Sequence, residues 1–248
     1  MMLGSGSPVS DQLNSLLVRA GMEELTYDQM IRFEAYLRLI LKWNERMNLT
    51  SVREPREILS RHFVECIACA RALPDTISAL LDFGSGAGFP GIPIAICRPD
   101  LRVTLAESQA KKAAFLSEAV RVLPVPAKVF AGRAEQISAT FDCVTLRAVD
   151  RMATAITVAI SKLAVPGWLV LMTTKESWER TASDAGVDFT WNEPLPMPDS
   201  EQRVTLFGRR AQCSTWNTHT NVPRGTNQQP IETAVSTEFS TGLPETRQ

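Results

Sequence analysis

The run Leu80-Leu81-Asp82-Phe83-Gly84-Ser85-Gly86-Ala87-Gly88-Phe89-Pro90-Gly91 leaves this chain few folds to choose from. An apolar stretch ends at an acid, four glycines follow within eight positions, and a second apolar stretch begins. Glycine belongs where the backbone must take positive φ or approach a ligand closely. A helix that opens directly behind such a loop turns its unpaired N–H groups towards whatever the loop holds. Strand, glycine loop and helix in this order form the first unit of a sheet that binds a nucleotide-like cofactor.

The flanking pattern agrees. Short β-prone runs at 77–83, 102–107, 127–131, 143–147 and 168–173 alternate with helical stretches at 90–97, 110–122, 151–163 and 176–185. Such alternation predicts right-handed βαβ crossovers and a mainly parallel sheet. Two late runs, 187–191 and 203–208, have no helix between them and predict an antiparallel pair at the sheet edge. Ahead of the sheet, residues 9–74 read as helical, with Met30, Phe33, Leu37, Ile40, Leu41 and Met47 on one stripe and Pro55 at a helix start. The expected fold is α/β and Rossmann-like. It has a seven-stranded, mostly parallel sheet over 75–210 and an N-terminal helical extension. Residues 1–8 and the Ser-, Thr-, Asn- and Gln-rich stretch 211–248 hold too little apolar surface to offset ordering entropy and are expected to be disordered.

Two cofactor classes fit the loop. Gly86-x-Gly88-x-x-Gly91 matches the dinucleotide fingerprint, and Asp82-x-Gly84-x-Gly86-x-Gly88 matches the loop of S-adenosylmethionine enzymes. Glu107, at the end of the second strand, suits the ribose of either. In a dinucleotide loop the first glycine closes the strand directly, whereas here Phe83-Gly84-Ser85 has already left it. A carboxylate at Asp82 repels a pyrophosphate and suits a sulfonium. These features favour the methyl donor, and with it a fold of the class I S-adenosylmethionine-dependent methyltransferase kind; a nicotinamide-dependent oxidoreductase is the alternative. Ala134 and Glu135, after the third strand, fall where the adenine is expected.

The stretch Phe141-Asp142-Cys143-Val144-Thr145-Leu146-Arg147-Ala148-Val149 offers no Pro-Pro motif of amino-group methyltransferases and no cysteine beyond the strand end. Arg147 lies on the ligand side of the sheet. It is read either as a contact to cofactor or RNA or as a structural ion pair; on the first reading Arg147→Ala costs turnover more than folding. A ring nitrogen such as guanine N7 carries no proton and attacks a methyl in line without a base, so positioning matters more than acid–base chemistry.

Composition narrows the partners. A net charge of −1 means that any nucleic-acid surface is local, and residues 32–71 carry eight basic side chains against five acidic ones. The five cysteines are scattered and read as free thiols of a reducing compartment. Cys66 and Cys69 form a single CxxC and the only histidines are His62 and His219, so no metal site is expected. The apolar stretch 156–172 is broken by Lys162 and Pro166-Gly167, and the N-terminus lacks a basic-then-apolar leader, so no membrane anchor is expected and the cytoplasm is.

Three blocks carry a resemblance to a known family. They are Leu41-Lys42-Trp43-Asn44-Glu45-Arg46-Met47-Asn48-Leu49-Thr50 with Ile58 and Arg61-His62-Phe63; Asp82 to Pro93 with its Gly-Phe-Pro-Gly-Ile-Pro; and Arg147-Ala148. Over residues 10–210 the chain resembles the bacterial small-subunit ribosomal RNA guanine-N7 methyltransferases, also called glucose-inhibited division protein B. The resemblance implies methyl transfer from S-adenosylmethionine to N7 of one guanosine in the 530 loop of 16S rRNA, with that RNA or the small ribosomal subunit as partner. Acting on a small molecule or a protein is the alternative. It further implies cofactor contacts from Gly84, Phe89, Ala134, Glu135 and Arg147 and a ribose contact from Glu107; the glycine loop itself adds Asp82, Gly86 and Gly88, and Arg147, His62 and Lys175 are the candidates for base or RNA positioning. No metal is implied, and a monomer is expected. Glu65 stands where the family more often has Asp, and Glu176 where glycine is usual.

Overall fold

The computed structural model describes residues 7–149 and 151–210. The strand of the glycine unit, β1 (Ala79–Phe83), lies mid-sheet between β2 (Arg102–Glu107) and β4 (Phe141–Arg147), parallel to both. Outside β2 comes β3 (Ala127–Ala131), and outside β4 comes β5 (Leu163–Thr174), again parallel. The other edge is antiparallel. Strand β8 (Arg203–Arg210) pairs with β5, β6 (Phe189–Trp191) pairs with β8, and a two-residue strand β7 (Leu195–Pro196) also pairs with β8. The order is β3-β2-β1-β4-β5-β8-β6. Among the described residues the sheet therefore has eight strands rather than seven, because a two-residue strand containing proline leaves no alternating pattern to read.

Leu80, Leu81, Val144 and Leu146 are wholly buried, as consecutive residues of a strand covered on both faces must be. One face carries α7 (Met152–Ser161) and α8 (Trp178–Asp184), whose Ile156 and Ala182 pack with Leu81, Val144 and Leu169. The other face carries α5 (Gly91–Cys97) and α6 (Ala110–Val122) together with all the N-terminal helices. These are α1 (Pro8–Arg19), α2 (Tyr27–Asn44), and a third helix that runs from α3 (Pro55–Ile58) through a π-helical turn (Leu59–Val64) into α4 (Glu65–Ala72). Thr26 and Gln29 close a capping box at the start of α2.

Phe33, Tyr36, Phe63 and Ile67 share a single core with Ile92, Leu105 and Phe115. The division between 9–74 and 75–210 is thus a change of rhythm in the sequence and not a division of packing. Ser7 caps α1 and Pro8 opens it, so structure begins earlier than the expected disordered stretch 1–8 allowed. Residues 1–6 and the tail 211–248, with Cys213 and His219, lie outside the described residues. Among the described residues no helix is long and apolar enough to cross a membrane.

Candidate active site

At the carboxyl end of β1 the chain turns at Gly84 and Gly86, whose φ values are +68° and +57°. A side chain on Gly86 would find nothing nearer than the Gly84 carbonyl oxygen at 3.8 Å, because the residue faces open space. That space is a cavity of about 450 Å³. The loop 84–87 and Phe89 form its floor. Glu107, Ser108, Gln109 and Lys112 form one wall, and Arg147, Ala148 and Val149 a second. Leu49, Thr50, Ser51 and His62 close it from the N-terminal helices. A recess of about 210 Å³ shares Phe83, Gly84 and Ser108 with the cavity and continues to Gly132, Arg133, Ala134 and Glu135. A nucleoside with a side arm needs two joined compartments of this kind.

Asp82 does not border either space. It is fully buried beneath the loop, accepting from the Gly91 amide at 3.1 Å and from the Thr145 hydroxyl at 2.9 Å. Burial pushes its carboxyl up to about 6 despite those bonds. The expected cofactor contact from Asp82 is corrected: this side chain pins the loop to the sheet. Gly88 is likewise a packing residue, since a Cβ there would lie 2.7 Å from the Tyr36 hydroxyl, and that hydroxyl donates to the Ala87 carbonyl. Gly91 leaves room for Asp82, whose Oδ2 would sit 2.6 Å from an added Cβ.

Glu107 is presented to the cavity. Its Oε2 accepts from the Gly86 amide at 2.9 Å and its Oε1 from the Gln109 amide at 2.7 Å. Each oxygen keeps a lone pair for a donor such as a ribose hydroxyl. Asn44 shapes the opposite wall. Its Oδ1 accepts from the Leu49 and Thr50 amides, each at 3.1 Å, and its amide donates to the Val52 carbonyl at 3.3 Å. Those three bonds fold the loop that carries Leu49, Thr50 and Ser51 to the cavity.

His62 sits on the π-helical turn with its ring 4.6 Å from that of Phe89. Nδ1 lies 3.0 Å from Arg147 Nη2 and Nε2 lies 3.3 Å from the Thr50 hydroxyl. Burial, then the Arg147 charge, lowers its pKa to about 3. A guanidinium only donates, so Nδ1 is the acceptor and the ring proton resides on Nε2. Arg147 also donates from Nη2 to the Arg61 carbonyl at 2.9 Å and to Glu65 Oε2 at 3.0 Å, and from Nη1 to the Cys66 sulfur at 3.1 Å. Its guanidinium carbon is 5.7 Å from the Phe89 ring centre. Arg147 is therefore both an ion-pair partner and a wall of the cavity. Ala148 follows with φ 49°, a left-handed conformation that is uncommon outside glycine.

Glu65 is 1% exposed. Burial raises its pKa, against the opposing charges of Arg147, Arg203 and Arg61. Arg203 Nη2 stands 2.8 Å from its Oε1, an ion pair that is not aligned as a hydrogen bond. Cys66 is protonated, its thiol pushed up to about 12 by burial, and Cys143 is core. Lys175 is exposed just beyond β5, its amide donating to the Gln202 carbonyl, and does not border the cavity. Sequence reasoning missed Ser51, Gln109, Lys112 and Val149 on the walls and Arg203 behind them. Gln109 and Lys112 carried a signal, being at the start of the helix after Glu107; the others carried none.

A family model described as "GidB: rRNA small subunit methyltransferase G" matches residues 29–202. The "Ribosomal RNA small subunit methyltransferase G" of Xanthomonas axonopodis pv. citri is 41% identical over 170 residues, 67% of this chain and 79% of that one. The protein of the same name from Roseiflexus castenholzii is 44% identical over 142 residues, 54% of this chain; the match spans 59% of that relative's length. Among solved structures, a SAM dependent methyltransferase from Aquifex aeolicus aligns with TM-score 0.50 at 15% identity, covering 62% of this chain and 93% of that one. A predicted O-methyltransferase from Agrobacterium tumefaciens aligns with TM-score 0.50 at 17% identity, over 61% and 82%. Both share the fold. Nothing in these likenesses favours the nicotinamide reading of the loop.

Proposed function

This chain belongs to the rRNA small subunit methyltransferase G family, and from that premise we propose that it methylates N7 of one guanosine in the 530 loop of 16S rRNA. S-adenosylmethionine, when bound, supplies an electrophilic sulfonium methyl. Glu107 accepts the ribose hydroxyls, the backbone at Gly84 and Gly86 lies against the methionine arm, and Ala134 and Glu135 flank the adenine. Phe89 gives the reacting end an apolar floor. The target base enters between His62, Thr50 and Arg147, where the guanidinium is the available donor to its acceptor edge.

One observation carries this reading. The side chains beside the expected target base offer no free proton acceptor, and the carboxylates that keep lone pairs, Glu107 and Glu135, are assigned to the ribose and the adenine. Glu107 holds two amides, His62 Nδ1 accepts from Arg147, and Cys66 remains a thiol. A cavity of this kind positions a nucleophile that needs no deprotonation, and guanine N7 is such a nucleophile. On this reading the protein works in the cytoplasm as a single chain, and the displacement calls for no metal ion.

The test uses the purified full chain, tritiated S-adenosylmethionine and small-subunit RNA from cells lacking the modification, offered naked and as assembled subunits. The expected result is one 7-methylguanosine per RNA, mapped to the 530 loop. Label at another atom or another site, or label entering only protein or small molecules, overturns the assignment.

A further inference from the structure

Among the described residues Glu65 is the most deeply buried carboxylate that the proposed chemistry leaves unused apart from Asp82, and its two oxygens hold two different arginines. The sheet explains how they meet. Arg147 ends β4 and stands beside Met172 of β5. Arg203 begins β8, which runs the other way and stands beside Thr174 of β5. Antiparallel β8 thus brings its first residue to the carboxyl edge of the sheet, where the cavity is.

Arg203 is fixed from behind. Its Nε and its amide both donate to the Ser200 hydroxyl at 3.1 Å. Its guanidinium reaches across to Glu65 Oε1, while Oε2 accepts from Arg147. Arg147 Nη2 has two hydrogens and three acceptors within 3.0 Å: the Arg61 carbonyl, His62 Nδ1 and Glu65 Oε2. Which two it serves depends on where the Glu65 carboxylate is held. A π-helical turn is a locally irregular helix often found at functional sites, and here it carries both the Arg61 carbonyl and His62.

Resting on the methyl-transfer reading above, we propose that Arg203 is a positioning residue of that site. Acting through Glu65, it sets the placement of the Arg147 guanidinium and of the His62 ring against the cavity. Arg203 does not border the cavity itself. The charged and titratable groups facing Glu65 are Arg61, His62 and Cys66 on its own helix, Arg147 from β4 and Arg203 from β8. With Arg203 gone, one of the cations that keeps Glu65 ionised is lost, so Glu65 takes up a proton at higher pH. The protonated form no longer holds Arg147 as an ion pair.

The experiment compares the full chain with Arg203→Ala and Arg203→Lys. Three quantities are read: kcat for methylation of undermodified small subunits from pH 5.5 to 8.5, the Kd for S-adenosylhomocysteine by calorimetry, and the imidazole nitrogen resonances of His62. For Arg203→Ala, kcat falls at least tenfold, the acid limb of its pH profile moves to higher pH, the Kd stays within about twofold, and the His62 resonances shift. Arg203→Lys keeps the charge, returns the acid limb to its original position and recovers most of kcat. Arg203→Gln carries the same expectation as the alanine variant should the latter fail to fold. A kcat per folded enzyme and a pH profile like those of the parent overturn the proposal, whatever the His62 spectrum shows. Failure of the parent chain to methylate the RNA counts against the methyl-transfer reading instead, and the His62 spectrum of Arg203→Ala then still reads the link through Glu65: unchanged resonances overturn it.

Discussion

Asp82, in β1, and Gly86, in the loop that follows it, sit four positions apart and do different work. Gly86 combines φ +57° with open space where a side chain would go, and that space is the cavity. Gly86→Val fills it with a branched side chain in a backbone conformation that valine resists, at a cost of about 1–3 kcal/mol. S-adenosylhomocysteine affinity should fall at least a hundredfold by calorimetry, and an unchanged Kd would show that the cofactor lies elsewhere. Asp82, by contrast, is buried and ionises at about 6 in the folded chain. A folded pKa raised from its usual 3.8 means that this group's favourable contribution is complete below about pH 4 and lost as pH rises through 6. Asparagine keeps the bond from Gly91 and lets the Thr145 hydroxyl turn round to accept. The unfolding free energy of the parent should therefore drop relative to Asp82→Asn by roughly 2 kcal/mol between pH 4.5 and 7.5, with little change in S-adenosylhomocysteine binding. Parallel urea curves across that range would refute the assignment. His62 has the opposite sign. Its depressed pKa contributes stability above about 6.5 that is lost as pH falls towards 3.

Within the third N-terminal helix, the π-helical turn and the end of β4 are clamped by one guanidinium. The sequence alone left two readings of Arg147, a contact for cofactor or RNA and a structural ion pair, and the geometry makes it both. Arg147→Ala leaves Glu65 with Arg203 as its remaining ion-pair partner among the described residues. Breaking a buried pair from one side costs about 3–5 kcal/mol, so the expectation that turnover would suffer more than folding is revised. Arg147→Ala should lower the unfolding free energy by about 3 kcal/mol, and adding Glu65→Gln should recover most of that loss. Methylation should stay below a few per cent of the parent in both. Recovery of activity along with stability would mean that Arg147 acts only by holding the fold. Helix α6 was legible to the residue because its apolar stripe is regular, Ser108-Gln109 precede it and Pro124 stops it. Strand β5 was legible only from Trp168: Pro166-Gly167 breaks its pattern, so the sequence puts Leu163 at the end of a helix and leaves 164–167 in no element.

Across the whole molecule the N-terminal helices complete the core on one face of the sheet. Phe63 stacks on Tyr36 at 5.4 Å, and Tyr36 reaches the loop that lines the cavity. A fragment beginning at Asp75 exposes that face and should show no cooperative thermal transition by circular dichroism; a sharp transition near the parent's would make the helices an independent addition. Local pattern was enough for the strand–loop–helix unit, the alternation that follows it and the placement of Glu107, because each depends on residues close in the chain. It was enough also for the antiparallel edge, since no crossover helix fits before β8. It was not enough to show that Asp82 and Gly88 face inward, or that Asn44 builds a wall of the cavity. Nor did it show that Arg203 stands behind Arg147. The Asn44 bonds span only five to eight positions but lie in an irregular loop without a repeating pattern, and the other facts depend on contacts up to 138 positions apart; periodicity in a sequence reports which face a residue takes without reporting what lies opposite it.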